Sequence, residues 1–500
     1  MIDLQGPPIE WMAISPLLIL LGAALAMLVG AVLTPAWPRR FYALFTAAAA
    51  AAAIVMTVIE WHRHRAPRLI IAQSMRIDNF TLWLVIIVVG AALLSTLVTD
   101  DYLEREQLTA HAPEVYALYL LSSIGAIVMG AANDLIVLFL GLEILSIALY
   151  VLAASHRRRQ QSREAALKYF ILGSVASATF LYGVALIYGG SGSTNFSEIV
   201  TSFNSLIPVD RSEAMTLAGI ALLMVGMSFK VAAAPFHFWA PDVYEGAPTP
   251  VSGFMASAAK AAGFAALMRV LFYAVPQFRD DFRPVIWVLA VATVFIGSVM
   301  AVVQTNVKRM LAFSSVSHAG FILVGVEAAA HAAGSPAQAD GVLSALNYLL
   351  LYSVLVIGSF AVVAVVGRKG DDATDLNGFR GLGRSHPALA LAFTVLLIAQ
   401  AGVPLTTGFV AKFGVISAAV DAHSYALAII AMLAAVIAAF LYLRIMVSMW
   451  ASEPEAGDDD RQPIHVPLLT GIVIAFTALF TIVFGLAPGW LIDASKHIFP

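Results

Sequence analysis

Four ionisable side chains lie deep in apolar stretches of this chain: Glu143, Lys230, Lys260 and Lys412. Glu143 stands in Leu138-Phe139-Leu140-Gly141-Leu142-Glu143-Ile144-Leu145-Ser146 and Lys230 in Met227-Ser228-Phe229-Lys230-Val231-Ala232. Lys260 stands in Ala258-Ala259-Lys260-Ala261-Ala262 and Lys412 in Phe409-Val410-Ala411-Lys412-Phe413. A charge at the centre of a membrane helix costs roughly 2.5–3.5 kcal/mol, so such groups are neutralised, paired or wetted. Static ion pairs between helices are the competing reading. Three lysines against one clear acidic partner leave positive charge in excess, which helix gluing does not need and a titrating chain does. Desolvation lowers the proton affinity of a lysine, and a carboxylate close by restores it. At ~6 Å and an effective dielectric of ~20, one charge contributes ~3 kcal/mol, about a hundredfold in proton affinity. Movement of Glu143 relative to Lys230 would switch that lysine between holding and releasing a proton. Lysine suits the task because its affinity responds to burial, whereas arginine stays charged.

Pro235 and Pro404 interrupt apolar helices beside two of these lysines. Each removes backbone hydrogen bonds at membrane depth, which is tolerated only beside protein or water. Water at the breaks would carry protons to and from Lys230 and Lys412. His237, just past the first break, and His318, in Ser314-Ser315-Val316-Ser317-His318, are relay candidates because imidazole titrates near neutral pH. A histidine hydrogen-bonded in a polar pocket is the alternative for each.

These residues need elements that cross a membrane, and composition supplies them. Of 500 residues, 60% are hydrophobic and 12% charged, with a mean hydropathy of +0.88. A soluble domain carries about 25% charged residues. About fourteen stretches reach the ~20 apolar residues that cross a hydrocarbon core of ~30 Å. They fall near 15–34, 41–60, 79–99, 115–131, 134–154, 165–189, 215–237, 250–274, 284–304, 309–329, 341–367, 387–419, 424–450 and 464–489. Apolar runs without polar alternation indicate helices, not barrel strands. The expected fold class is an all-α polytopic membrane protein. The net charge of −3 suggests no nucleic-acid partner. The absence of cysteine removes disulfides, iron–sulfur clusters and thiolate zinc sites, so any electrons travel elsewhere. The acidic start, Met1-Ile2-Asp3-Leu4 to Glu10, lacks a basic segment and makes the first stretch a span, not a cleaved signal.

Basic residues favour one set of loops: Arg39, Arg40, Arg105, Arg157, Arg158, Arg159, Arg163, Lys308, Arg309, Arg368, Lys369, Arg380, Arg384 and Arg461. The other set holds Arg63, Arg65, Arg68, Arg76, Arg211, Arg279, Arg283 and Lys496. The excess places both termini on the non-cytoplasmic face.

An internal repeat is visible. Ala166-Leu167-Lys168-Tyr169-Phe170-Ile171-Leu172-Gly173-Ser174 echoes Ala345-Leu346-Asn347-Tyr348-Leu349-Leu350-Leu351-Tyr352-Ser353, 179 residues on, and Pro235 and Pro404 lie 169 apart. Spans four to eight thus resemble spans nine to thirteen. Five is odd, so the second unit is inverted, and paired broken helices in inverted repeats point at a transport site. The expected division is a three-helix segment over 1–114, repeats over 115–275 and 276–450, and an acidic loop with a last helix over 451–500. Lys230 precedes its proline while Lys412 follows its own, so the two are not simple repeat equivalents.

The stretch Lys230-Val231-Ala232-Ala233-Ala234-Pro235-Phe236-His237-Phe238-Trp239-Ala240-Pro241-Asp242-Val243-Tyr244-Glu245-Gly246-Ala247-Pro248-Thr249-Pro250-Val251, running on to Lys260, closely resembles the centre of the antiporter-like subunits of respiratory complex I. The Glu143 segment, Gln304 to Gly320 and the Lys412 segment extend the resemblance over spans five to twelve. Within that family the Asp242–Pro248 wording is similar to subunit N. Subunit M typically has glutamate where Lys412 stands, and subunit L continues into a long lateral helix. The resemblance implies that Glu143, Lys230, Lys260 and Lys412 form a charged axis at half-membrane height, with Lys308 serving access or structure. It implies proton translocation in the bacterial cell (inner) membrane, with no redox cofactor in this chain. NADH, FMN, iron–sulfur clusters and quinone would sit in other subunits. The partners implied are other membrane subunits, including homologous antiporter-like ones, and membrane lipids.

A multisubunit cation/proton antiporter is the alternative, against which the Asp242–Val251 wording argues. A quinone-binding catalytic subunit is a third, but no distinctive polar-aromatic pocket can be read. Gly378-Phe379-Arg380-Gly381-Leu382-Gly383 follows no strand and reads as a connecting loop, not a nucleotide site. Asp458-Asp459-Asp460 reads as a solvated run and Asn195-Phe196-Ser197 as a chance glycosylation triplet. The spacing brings together no metal-ligand cluster.

Overall fold

Backbone polar groups without water must be satisfied within their own segment, so the apolar runs fold as helices. The computed structural model describes residues 10–34, 37–63, 66–203, 210–453 and 464–498. The residues before Glu10, Arg65, Asp458-Asp459-Asp460 and Arg461 lie outside the described residues, as do the side chains of Arg39 and Arg211. The helices are α1 (Ser15–Leu33), α2 (Arg39–Arg63), α3 (Asn79–Arg105), α4 (Ala112–Ala131), α5 (Leu135–Ala153), α6 (Gln160–Ser191) and α7 (Phe196–Phe203). Next come α8 (Asp210–Val231), α9 (Trp239–Gly246), α10 (Thr249–Phe254), α11 (Lys260–Arg269), α12 (Arg279–Val302), α13 (Val307–His331) and α14 (Pro336–Val366). The chain ends with α15 (Leu382–Ser385), α16 (Pro387–Ala401), α17 (Thr407–Asp421), α18 (Tyr425–Trp450), α19 (Leu468–Leu486) and α20 (Gly489–Lys496).

Among the described residues, thirteen helices are long and apolar enough to cross a membrane. One of them runs from α10 through a π-helical turn (Met255–Ala259) into α11. The fourteenth crossing is split into α16 and α17, as the Pro404 break predicts. Span 249–274 and α13 are wholly buried at the centre of the bundle, while α1 and α2 turn most of their apolar surface outward.

The helix pairings of the two units match. In the first, α4 packs on α5, α5 on α6, and α6 on α8 and α9; in the second, α12 packs on α13, α13 on α14, and α14 on α16 and α17. Caps and close approaches repeat as well. Asp134 caps α5 through the Ile136 and Val137 amides, and Asn306, 172 residues on, caps α13 through those of Lys308 and Arg309. Gly125 lies against the α5 backbone and Gly297, again 172 on, against the α13 backbone, where a Cβ would run into Leu145 N and Ser317 N. Small residues let membrane helices approach this closely.

A short antiparallel hairpin, β1 (Arg68–Ile70) with β2 (Met75–Ile77), precedes α3 and was not legible in the sequence. Its turn puts Ile71, Ala72 and Gln73 at positive φ. The side-chain amides of Asn133 and Asn195 clamp the Gln73 carbonyl at 2.8 and 3.2 Å, giving Asn195 a packing role. Both described chain ends meet this face: Glu10 pairs with Arg68, and Asn79 Nδ2 donates to the His497 carbonyl. The loop Gly378–Gly383 joins helices on the opposite, basic face.

Candidate functional site

The first break follows α8, where Ala232 takes a φ of 58° and Ala233 N turns back to Ser228 O. Lys230, at the last turn of α8, is 6% exposed. Its ammonium donates to Ser146 Oγ at 2.8 Å and lies 6.0 Å over the Tyr169 ring. Glu143, one turn before Ser146 on α5, acts on Lys230 electrostatically but forms no ion pair within salt-bridge distance among the described residues. Its Oε1 is buried without a hydrogen-bond partner among them. A cavity of about 10 Å³ lined by Ser146, Tyr150, Ser177 and Lys230 sits beside the ammonium, room for about one water.

Lys260 opens α11 directly after the π-helical turn, a feature frequent at functional sites. It is 2% exposed, and its ammonium donates to the Ser315 carbonyl on α13. Gly263, one turn on, packs on the Lys230 side chain, where a Cβ would meet Cγ at 3.3 Å. Lys260 thus meets the second unit at Ser315, while its own helix packs on Lys230 within the first.

Lys412 follows the second break but reaches back across it. Its ammonium takes the Gln400 and Ala401 carbonyls at 2.9 and 2.8 Å, the last turn of α16. A cation there also meets the negative end of the helix dipole. Gly402 makes the reach possible: its φ is 89°, and a Cβ would meet Lys412 Cδ at 2.8 Å. The sequence asymmetry between the lysines therefore narrows in space: Lys230 leaves the last turn of its broken helix's first half, and the Lys412 ammonium returns to the last turn of its own.

His318 stands between Lys260 and Lys412, within electrostatic reach of both. Its Nδ1 lies 2.6 Å from Tyr348 Oη and its Nε2 3.2 Å from Tyr442 Oη. Tyr442 Oη is 2.6 Å from Ser314 Oγ, which reaches Gln400 Oε1 at 3.5 Å. A line of hydroxyl, imidazole and amide groups thus joins His318 to the residue whose carbonyl holds Lys412. Tyr348, Tyr442 and Gln400 read in sequence as ordinary members of apolar runs. His237 takes no place in this line; it packs edge-on to Phe313 at 6.3 Å. Pro235 and Pro404 are both exposed.

Lys308 is fully buried on the basic face, away from the row's middle. It donates to the Ala247 carbonyl at 2.6 Å and lies 3.4 Å from Asp371 Oδ2. Asp371 also accepts from Thr249 Oγ1 at 2.8 Å and Tyr102 Oη at 3.4 Å, and meets Arg105 and Arg159 at 3.4 and 3.6 Å. Burial raises the Asp371 carboxyl, but Lys308, Arg105 and Arg159 outweigh it and hold it below the usual range. A cavity of about 770 Å³ lined by Glu106, His156, Arg158, Arg159 and Lys369 opens beside this cluster. Burial also lowers the His156 imidazole, against the opposing pull of Glu106 and Asp371. On the opposite face Arg269, wholly buried in α11, pairs with Asp78 and donates to the Gly130 carbonyl at 3.0 Å. Burial raises Asp78, but Arg269 brings it down to about 2. Among the described residues no group of three or more His, Asp or Glu could hold a metal ion.

Residues 132–438 match the family described as NADH:quinone oxidoreductase/Mrp antiporter, TM. NADH-quinone oxidoreductase subunit N of Parafrankia sp. (strain EAN1pec) is 41% identical over 97% of this chain and 94% of its own length. A chain of respiratory complex I from Thermus thermophilus with bound aureothin superposes with a TM-score of 0.78 at 29% identity, covering 96% of this chain and 98% of that one. A chain of the Mrp complex from Dietzia sp. DQ12-45-1b shares the fold, with a TM-score of 0.82 at 20% identity over 98% and 97%.

Proposed function

The chain belongs to the family of NADH-quinone oxidoreductase subunit N, and from that premise we propose that it moves protons through Glu143, Lys230, Lys260 and Lys412. The single observation that carries this reading is the mode of burial of the three lysines. Each is almost wholly enclosed, yet each donates only to neutral oxygens, those of Ser146, Ser315, Gln400 and Ala401. A lysine held this way is stable with or without its extra proton, which a relay requires. Glu143, one turn from the Ser146 that holds Lys230, biases that lysine; Lys260 joins the units through Ser315; and the His318–Tyr442–Ser314–Gln400 line runs from one turn past Ser315 to the residue whose carbonyl holds Lys412.

Electron transfer takes place in other subunits, where NADH, FMN, iron–sulfur clusters and quinone belong. This chain supplies the proton-translocating part of the enzyme and no redox group. Its setting is the bacterial cell (inner) membrane, with the Arg-rich face cytoplasmic and both termini outside. Lipid covers the apolar outer surfaces of α1, α2, α18 and α19. Homologous membrane subunits cover the exposed breaks at Pro235 and Pro404, because irregular backbone is not left facing lipid. The cation/proton antiporter alternative rests on likeness of fold.

The test is Lys230→Ala in the whole complex within sealed inverted vesicles. NADH-driven acidification should fall at least about tenfold, as expected when a relay group is lost, with assembly intact. Unchanged acidification would refute the role. Sodium-dependent exchange without quinone turnover would favour the antiporter.

A further inference from the structure

The half-helix α9 touches the surroundings of Lys230 at one end and is gripped by α13 at the other. At its first residue, Trp239 Nε1 donates to the Phe229 carbonyl at 2.9 Å, next to Lys230 in the chain. The same indole stacks on Tyr169, with centroids 4.7 Å apart and planes at 13°, and Tyr169 is the ring beneath the Lys230 ammonium. Toward its other end, Arg309 Nη1 holds Asp242 at 2.7 Å and Glu245 at 2.9 Å. Lys308 holds the Ala247 carbonyl just past the helix, and Arg159 the Gly246 carbonyl at 3.4 Å. Cations at a helix C-terminus meet both its free carbonyls and its dipole.

Lys308 and Arg309 are the first turn of α13, fixed by the Asn306 cap. Two to three turns further along the same uninterrupted helix, the Ser315 carbonyl holds Lys260 and His318 stands between Lys260 and Lys412. Packed helices shift as units between discrete arrangements, so a displacement at one end is delivered at the other. Asp371 Oδ2 holds the Lys308 ammonium at 3.4 Å.

Resting on the proton-moving reading above, we propose that α9 is a strut coupling the two halves of the row. Displacement of α13, when the charges on Lys260 and Lys412 change, passes through Arg309 and Lys308 to α9 and resets the position of Trp239 against Lys230. Trp239, Asp242, Glu245 and Arg309 are positioning residues in this scheme, and Lys308 anchors the strut.

The experiment uses the whole complex in sealed vesicles, with NADH–ferricyanide reduction to count assembled complexes. Arg309→Gln should lower acidification per assembled complex at least about fivefold, the low end of site-to-site coupling energies, and Arg309→Lys should keep more than half. Trp239→Phe retains the stack on Tyr169 and loses the donor to Phe229, and should cost about threefold, the worth of one hydrogen bond. A purely structural role would reduce the number of complexes and leave acidification per complex unchanged in both Arg309→Gln and Trp239→Phe, which would overturn the strut. If Arg309→Gln assembles too poorly to measure, Trp239→Phe decides alone. Loss of pumping in Lys230→Ala together with normal Arg309→Gln and Trp239→Phe would reject the strut and keep the row.

Discussion

Lys230, Lys260 and Lys412 meet neutral oxygens, whereas Arg269 and Lys308, buried at least as deeply, meet carboxylates of Asp78 and Asp371. The difference separates two uses of a buried cation. A cation held by a carboxylate stays charged and fixes geometry; withdrawing one partner leaves the other charge stranded. A lysine held by hydroxyl and carbonyl oxygens has no carboxylate in contact, which in the proposed reading lets its proton leave. In the proposed reading the row titrates, whereas the faces hold.

The largest effect should come from breaking a locked pair. Arg269→Met takes away the buried partner of Asp78 and leaves it the partly exposed Arg76 at 2.9 Å, and should destabilise the chain by about 3 kcal/mol, seen as loss of assembled complex on native gels. Lys412→Met should do the opposite: assembly unchanged, acidification down at least about tenfold. Equal assembly defects in the two variants would erase the distinction between row and faces. A smaller effect is expected from Tyr442→Phe, which removes the hydroxyl between His318 and Ser314. It should slow acidification about threefold to tenfold, the worth of one buried hydrogen bond near a charge, with assembly retained.

The smallest effect is a pH dependence confined to the faces. Asp78 titrates at about 2 in the folded chain, below the unfolded value of about 3.9. Its contribution to stability is complete above the unfolded value and is lost as pH falls through the folded one. Asp371, also lowered, has the same sign. Thermal stability of the complex should therefore decline from about pH 4 downward, and Asp78→Asn should flatten that part of the decline.

The burial of Lys230, Lys260 and Lys412 was legible in the sequence because a charge in an apolar run must be neutralised, paired or wetted, and the breaks because proline removes a backbone donor. The hydroxyl line was not, since Tyr348 and Tyr442 are unremarkable in apolar helices until His318 is placed between them. Asp371 could not be told from solvated Asp372 beside it; only the packing of α3, α10 and α13 buries it. Arg269 in Ala265-Ala266-Leu267-Met268-Arg269 carried the same signal as Lys260, a charge in an apolar run. What distinguishes it is Asp78, which is remote in sequence. Spacing also set Lys412 apart from Lys230, because it cannot show a side chain reaching back past Gly402.

The most direct test of a titrating row is the proton-to-electron ratio of the purified complex carrying Lys260→Met, reconstituted in proteoliposomes. Lys260 joins the two units, so the expected result is a normal amount of assembled complex that translocates fewer protons per NADH oxidised. An unchanged ratio at unchanged turnover would contradict proton passage along the row.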